Sequence, residues 1–194
     1  SVTSTAAKLW AHLSPDEYLE LERSAEFKSE YIDGDVVAMP GSSREHNLIV
    51  ANLVGELWQQ LKGRPDVVYP SDLRVWIPAT RRYTYPDVIV VAGESHFQDD
   101  QADTLLNPTV IFEVLSPGTE SYDRGKKFEA YRSIDSVKEY LLVDQVERRI
   151  EQYARQADDR WLFSDHTATD GIVTLPSVAC KLALAEVYAK IPGR

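Results

Sequence analysis

The spacing of apolar residues changes several times along the chain, and each change predicts an element. Leu53, Val54, Leu57, Trp58 and Leu61 recur three and four residues apart. That period predicts a helix over residues 44–62 with this face toward a core. Ser42, with Glu45 three residues on, reads as its capping box, and Gly63, Arg64 and Pro65 as its stop. A shorter helix is expected from Pro15 to about Arg23, because Ser14 can cap it, Pro15 suits its first position and Glu17 completes a capping box. Two more are expected over residues 122–133 and 182–190.

Between the helices the period falls to two or vanishes. Residues 27–32 and 35–39 flank Asp33-Gly34, a strong two-residue hairpin signal. Val67–Tyr69, residues 73–77 and 88–92, Val110–Leu115 and Glu139–Asp144 read as strands. Residues 88–92, Val110–Leu115 and the Leu141-Leu142-Val143 centre are nearly continuous apolar runs, the mark of strands covered on both faces. These three are expected to be adjacent or near-adjacent strands. Residues 149–154 and 161–164 read as an outer antiparallel pair turned at Asp158-Asp159, with Ile172–Leu175 as a further strand. Strands and helices do not alternate regularly. The expectation is an α/β, α+β-like fold with a mixed central β-sheet flanked by helices, not a doubly wound one. Residues 1–194 fit one domain by length.

Composition narrows the function. The 43% hydrophobic and 27% charged fractions suit a soluble globular chain and argue against disorder. Lys plus Arg number 21 and Asp plus Glu 31, a net charge of −10. That argues against a cationic nucleic-acid coat or a membrane-surface binder. An enzyme on nucleic acid stays open, because acidic metal sites add negative charge. Cys180 is the only cysteine, so an intrachain disulfide and a multi-cysteine zinc site are excluded, and a reducing cytoplasm is the simplest compartment. No run approaches the ~18–20 apolar residues of a membrane span. Ser1 to Lys8 lacks the charged start and apolar core of a secretion signal. His12, His46, His96 and His166 form no HExxH pair, and GxGxxG, Walker A and GxSxG patterns are absent.

Two acids mark the most apolar strands. Asp87 follows Pro86 and precedes Val88, and Glu113 lies within Val110–Leu115. A buried carboxylate is costly unless it is paired or binds a metal. Singly, Glu113 reads as an ion-paired or outward-facing residue and Asp87 as a turn residue. Together, on neighbouring strands, they suit Mg²⁺ or Mn²⁺, which take oxygen ligands and keep several waters. Among the remaining residues, Trp58 and Phe128 match core-facing positions, Tyr83 and Tyr85 strand packing, and Cys180 buried packing. Asp99, Asp100 and Asp103 read as a solvated loop. Arg81-Arg82 reads as a hairpin tip, with phosphate contact as the alternative.

An ordered set of motifs goes further. Tyr85-Pro86-Asp87, Phe112 to Pro117, Asp123-Arg124-Gly125-Lys126-Lys127-Phe128 with Tyr131, and Glu139–Asp144 resemble the Uma2 family of the PD-(D/E)XK restriction-endonuclease-like superfamily. Ser29 to Gly34 and Glu45 to Leu48 echo it too. The resemblance implies the restriction-endonuclease-like fold, Mg²⁺ or Mn²⁺ as cofactor, and endonucleolytic hydrolysis of DNA phosphodiester bonds. It implies Asp87 and Glu113 as catalytic metal ligands, with the Val114 carbonyl as a further ligand. The superfamily's lysine two positions after the second acid is Leu115 here. The resemblance assigns that role to Lys127. Spacing alone reads Asp123 and Lys127 as a surface ion pair, on one helical face with Tyr131, while Lys126 points ~100° away. Glu30 and His46 are implied to approach the metal, with Glu45 as another candidate acid. By analogy the protein pairs as a homodimer on DNA. The competing readings are a nuclease fold kept as a DNA- or partner-binding module, and a hydrolase of smaller phosphate esters.

Overall fold

The computed structural model describes residues 7–192; most of the Ser1 to Lys8 segment lies outside them. Strand β1 (Lys8–Trp10) precedes helix α1 (Pro15–Ser24), the hairpin β2 (Ser29–Ile32) and β3 (Asp35–Ala38), and the long helix α2 (Arg44–Leu61). Then come β4 (Val67–Tyr69), β5 (Arg74–Ile77), β6 (Arg82–Thr84), β7 (Val88–Val91), β8 (Thr104–Leu105) and β9 (Val110–Leu115). Three helical pieces run end to end and together are α3: Glu120–Tyr122, a π-helical turn Asp123–Lys127, and Phe128–Arg132. Strands β10 (Glu139–Asp144), β11 (Ile150–Arg155), β12 (Trp161–His166), β13 (Ile172–Leu175) and β14 (Cys180–Ala183) follow, then the short helix α4 (Leu184–Val187).

The strands form a mixed sheet β12-β11-β10-β9-β7-β4, a second six-stranded sheet β1-β3-β2-β6-β5-β8, and the hairpin β13-β14. In the first sheet β9 lies centrally, parallel to β10 and antiparallel to β7. The three apolar runs are therefore neighbours. Alternate residues explain why they are apolar throughout. Val88, Val90, Val110, Phe112, Val114, Leu141 and Val143 pack under Ile49, Leu53, Leu57 and Leu61 of α2. Ile89, Val91, Ile111, Leu115, Tyr140 and Leu142 pack against Phe128 and Tyr131 of α3. By parity Glu113 points to the α3 side with Ile111 and Leu115. The second sheet has its own small core, where Tyr18 of α1 stacks on Tyr83 with ring centroids 5.1 Å apart.

Local chemistry shapes the ends. Ser14 and Glu17 form the α1 capping box. Asp33 (φ 43°) and Gly34 (φ 103°) both adopt positive φ, as a type I′ hairpin turn requires. Several expectations need correction. The α2 cap is Ser43, whose Oγ accepts the His46 N–H at 3.0 Å, so Ser42 and Glu45 form no capping box. Trp58 is 56% exposed, because the buried stripe runs through Ile49, Leu53, Leu57 and Leu61 and leaves Trp58 beyond its edge. The segment 182–190 is not one helix: Cys180 and Leu182 alternate buried with outward Lys181, a strand period, before α4 begins. Asp99 and Asp103 are not merely solvated, since both bind Arg23 and Asp103 also reaches buried Arg74 at 3.0 Å. Strands β1, β6 and β8 are too short to announce themselves in the pattern. No helix among the described residues is long and apolar enough to cross a membrane.

Leu53 is fully buried and Trp58 mostly exposed. Leu53→Ala is expected to lower unfolding free energy by ~2–5 kcal/mol. Trp58→Ala should change it by less than about 0.5 kcal/mol, both read from denaturant titrations.

Candidate active site

The chain crosses from one sheet to the other at Tyr85-Pro86-Asp87. Thr84 ends β6 and Val88 starts β7, and Pro86, which has no N–H to donate, interrupts the ladder between them. Asp87 is fixed at this crossing. Val88 pairs with Phe112, so the register continued by one residue sets Asp87 beside Glu113. Asp87 Oδ2 accepts the Val114 N–H at 2.7 Å. Its Oδ1 lies 3.1 Å from Nε2 of His46, in the first turn of α2. Ser43, the α2 cap, donates to Gln145 Oε1 at 2.5 Å, and Gln145 donates to the Leu115 carbonyl at 2.9 Å, tying the start of α2 to the end of β9.

The opposite wall is α3. Its π-helical turn rotates Asp123 and Lys127 inward, in line with Tyr131; such turns are frequent at functional sites. Lys127 Nζ lies 3.3 Å from Glu113 Oε1, 3.4 Å from Asp123 Oδ1 and 4.0 Å from Glu30 Oε1. The Tyr131 hydroxyl donates to Glu113 Oε1 at 3.2 Å and meets Thr84 Oγ1 at 2.8 Å. Thr119 donates to Asp123 Oδ2 at 3.0 Å. Glu30 reaches the group from β2, where the Tyr31–Tyr83 pairing sets it across from Thr84. The Asp123–Lys127 pair is thus buried, not a surface pair. Lys126 is 72% exposed and turns to Glu129. Glu45 pairs with its neighbour Arg44 at 3.0 Å.

Asp87, Glu113, Lys127, Glu30 and His46 therefore share one cluster. The side chains that sequence patterns did not single out are Thr84, Thr119, Tyr122 and Tyr140. The Tyr140 hydroxyl donates to the Asp123 carbonyl at 2.9 Å. Thr84, Thr119 and Tyr122 lie in no motif, and Tyr140 lies in one, Glu139–Asp144, that gave it no role at the site. Only the packing of β6 and β10 against α3 brings them in.

The charges do not balance. Of four carboxyl groups in the cluster, those of Glu30, Glu113 and Asp123 lie within 4.0 Å of one ammonium, Asp87 faces His46, and Arg82 also acts on Glu30. Burial would lower the Lys127 pKa, but Glu113, Glu30 and Asp123 outweigh it and hold the amine protonated, well above its ordinary range. Burial pushes the Glu113 carboxyl well up, against the pull of Lys127, and Asp87, Asp123 and Glu30 add repulsion. Burial and Asp87 raise Asp123 against Lys127 and the Thr119 hydrogen bond. Burial also acts to raise Asp87, but the His46 hydrogen bond and charge prevail and keep it below its usual value. Asp87 is thus the carboxylate most firmly ionised.

A surplus of buried hard oxygens is the donor set that Mg²⁺ or Mn²⁺ takes. Asp123 Oδ1 is buried, with the Lys127 ammonium at 3.4 Å as its charged neighbour and no hydrogen bond of good geometry. Among the described residues no three His, Cys, Asp or Glu side chains are grouped so as to hold a metal ion, so a metal here would rest on one or two carboxylates and its own waters.

A family model, Uma2, described as "Putative restriction endonuclease", matches residues 15–185. The chain belongs to the Uma2 family. It is 39% identical over 153 residues to the Synechocystis protein sll1609, covering 79% of this chain and 86% of that one. A second Synechocystis protein, slr1290, is 36% identical over 176 residues, 91% of each chain. A crystal structure from Anabaena variabilis, titled as a putative nuclease belonging to DUF820, superposes with a TM-score of 0.76 at 22% identity, over 91% of this chain and 98% of that one. At that identity the likeness shows the fold, and the fold of this Uma2 protein is nuclease-like.

Burial first, then Asp123, raises the Glu30 pKa, against Lys127 and Arg82. An acid whose folded pKa is raised destabilises the native state while ionised, and that penalty fades as pH falls through the folded pKa. Glu30→Gln in this Uma2 chain is therefore expected to raise Tm at pH 7. The rise should be about 2–4 °C per kcal/mol relieved, shrinking to nothing near pH 4.5 in thermal melts. A lower Tm at pH 7 would contradict the charge surplus.

Proposed function

We propose that the protein is a divalent-metal-dependent endonuclease that hydrolyses DNA phosphodiester bonds. The observation that carries this reading is the Lys127 ammonium, 3.3 Å from Glu113 beside Asp87. It supplies from α3 the cation that Leu115 cannot supply from β9. Family membership and the nuclease-like fold support it.

Asp87 and Glu113 would hold Mg²⁺ or Mn²⁺, with the Val114 carbonyl as a further ligand. When bound, the metal supplies Lewis acidity toward a phosphoryl oxygen and lowers the pKa of water. His46 and the Val114 N–H orient Asp87, and the Tyr131 hydroxyl orients Glu113. Lys127 remains an ammonium, so it donates hydrogen bonds. It positions the attacking water and stabilises negative charge developing on the phosphoryl group. Glu30 and Asp123 hold Lys127 at that point. Attack of water on phosphorus then breaks the bond to the leaving oxygen of the neighbouring nucleotide.

The test is a Mn²⁺ and Mg²⁺ titration with supercoiled plasmid, duplex and single-stranded oligonucleotides. Lys127→Ala should cut cleavage by ~10²-fold or more, the scale for losing one electrostatic stabiliser, while Lys126→Ala stays near wild type. Metal should raise the Tm of the wild type by mass action, and Asp87→Asn should abolish that rise. DNA binding without cleavage at any metal concentration would favour a binding module. Cleavage confined to small phosphodiesters would favour the smaller-substrate hydrolase.

A further inference from the structure

The mechanism above leaves one cation at the site unused. Arg82 opens β6 and pairs across the sheet with Ile32, so it flanks the strand that carries Glu30. Alternation sets its side chain on the same face as Thr84, whose hydroxyl meets Tyr131. Arg82 Nη1 donates to the Tyr122 hydroxyl at 2.5 Å, and its guanidinium lies 5.8 Å from the Tyr122 ring centre. Lys127 Nζ lies 5.9 Å from the same ring centre. Tyr122 thus lies close to both cations.

Their partners differ. Lys127 has three carboxylates within 4.0 Å. Arg82 has none within that distance among the described residues. Its Nε is buried and has no acceptor. A guanidinium presents five N–H donors in a planar fork that matches two oxygens of a phosphate. Buried donors are nearly always satisfied, so one left open beside a site for an anionic substrate calls for an acceptor that arrives with that substrate.

We propose that Arg82 is a substrate-binding residue that takes non-bridging oxygens of a backbone phosphate, with Tyr122 holding the guanidinium in place. This rests on the nuclease reading of the same site. Arg82 would grip the strand while Asp87, Glu113 and Lys127 act on the scissile phosphate. Each phosphate neutralised by a protein cation releases counterions, and the salt dependence of binding counts such contacts.

The experiment measures fluorescence anisotropy of labelled single-stranded and duplex oligonucleotides in Ca²⁺ across a salt series. Arg82→Ala should weaken binding ~10-fold for any sequence and lower the slope of log K against log salt by about 0.7–0.9, one phosphate contact. Tyr122→Phe removes the hydroxyl that Arg82 meets but leaves the cation, so its slope should stay that of wild type. If Arg82 only braces α3, Arg82→Ala will lower Tm and leave the slope unchanged, and the proposal falls. Should Arg82→Ala not fold, Arg82→Gln keeps an amide donor for Tyr122 and takes the same slope test. A wild type that binds no oligonucleotide refutes the nuclease reading. The Arg82 assignment is then decided by inorganic phosphate. A phosphate-dependent rise in Tm that Arg82→Ala abolishes sustains it; no rise, or an equal rise in the variant, overturns it.

Discussion

A single ammonium, that of Lys127, sits buried among Glu113, Asp123 and Glu30, and the rest of the site is arranged around it. A charge so placed is tolerable only when its partners are held in good geometry. Three separate elements hold them. Strand β9 carries Glu113 from the centre of one sheet, β2 carries Glu30 from the other, and the π-helical turn of α3 brings Asp123 and Lys127 to the same side. Removing the lysine would leave buried carboxylates with too little positive charge. The fold and the candidate chemistry therefore share one constraint.

That constraint also accounts for the polar residues that surround it. Tyr131 satisfies Glu113, Thr119 satisfies Asp123, and His46 with the Val114 N–H satisfies Asp87. Even so, four carboxylates exceed the cations that touch them. A hydrated divalent cation, as proposed for the site, would offset that excess. The chain as a whole is anionic, with a net charge of −10. The anionic chain then needs specific cations, not a general basic surface, to accept a nucleic-acid backbone. Arg82 and Lys127, both close to Tyr122, are the cations so placed.

Much of this was readable in the amino-acid sequence, for identifiable reasons. The strands β7, β9 and β10 feed two cores with alternate residues, so their continuous apolar runs announced both their burial and their adjacency. An acid inside such a run, Glu113, stood out against that background. The resemblance to the Uma2 family then pointed to Lys127, which spacing alone would have left on the surface. What the pattern hid depended on contacts distant in sequence. The division into two sheets turns on one short crossing at Pro86. The strand β6 has only three residues, and its two links to α3, Arg82 to Tyr122 and Thr84 to Tyr131, span 40 and 47 residues. Trp58 misled because it lies at the edge of an apolar stripe, where periodicity cannot tell covered from uncovered.

If the acidic cluster takes a divalent cation beside a fixed ammonium, as proposed, Mn²⁺ should occupy it. The most direct measurement is an anomalous difference map from crystals soaked in Mn²⁺. The account predicts a peak at coordination distance, near 2.1 Å, from Asp87 and Glu113 oxygens. It also predicts that the Lys127 ammonium stays in contact with Glu113. A fully soaked crystal with no peak at those carboxylates, or with Lys127 turned away from Glu113, would contradict it.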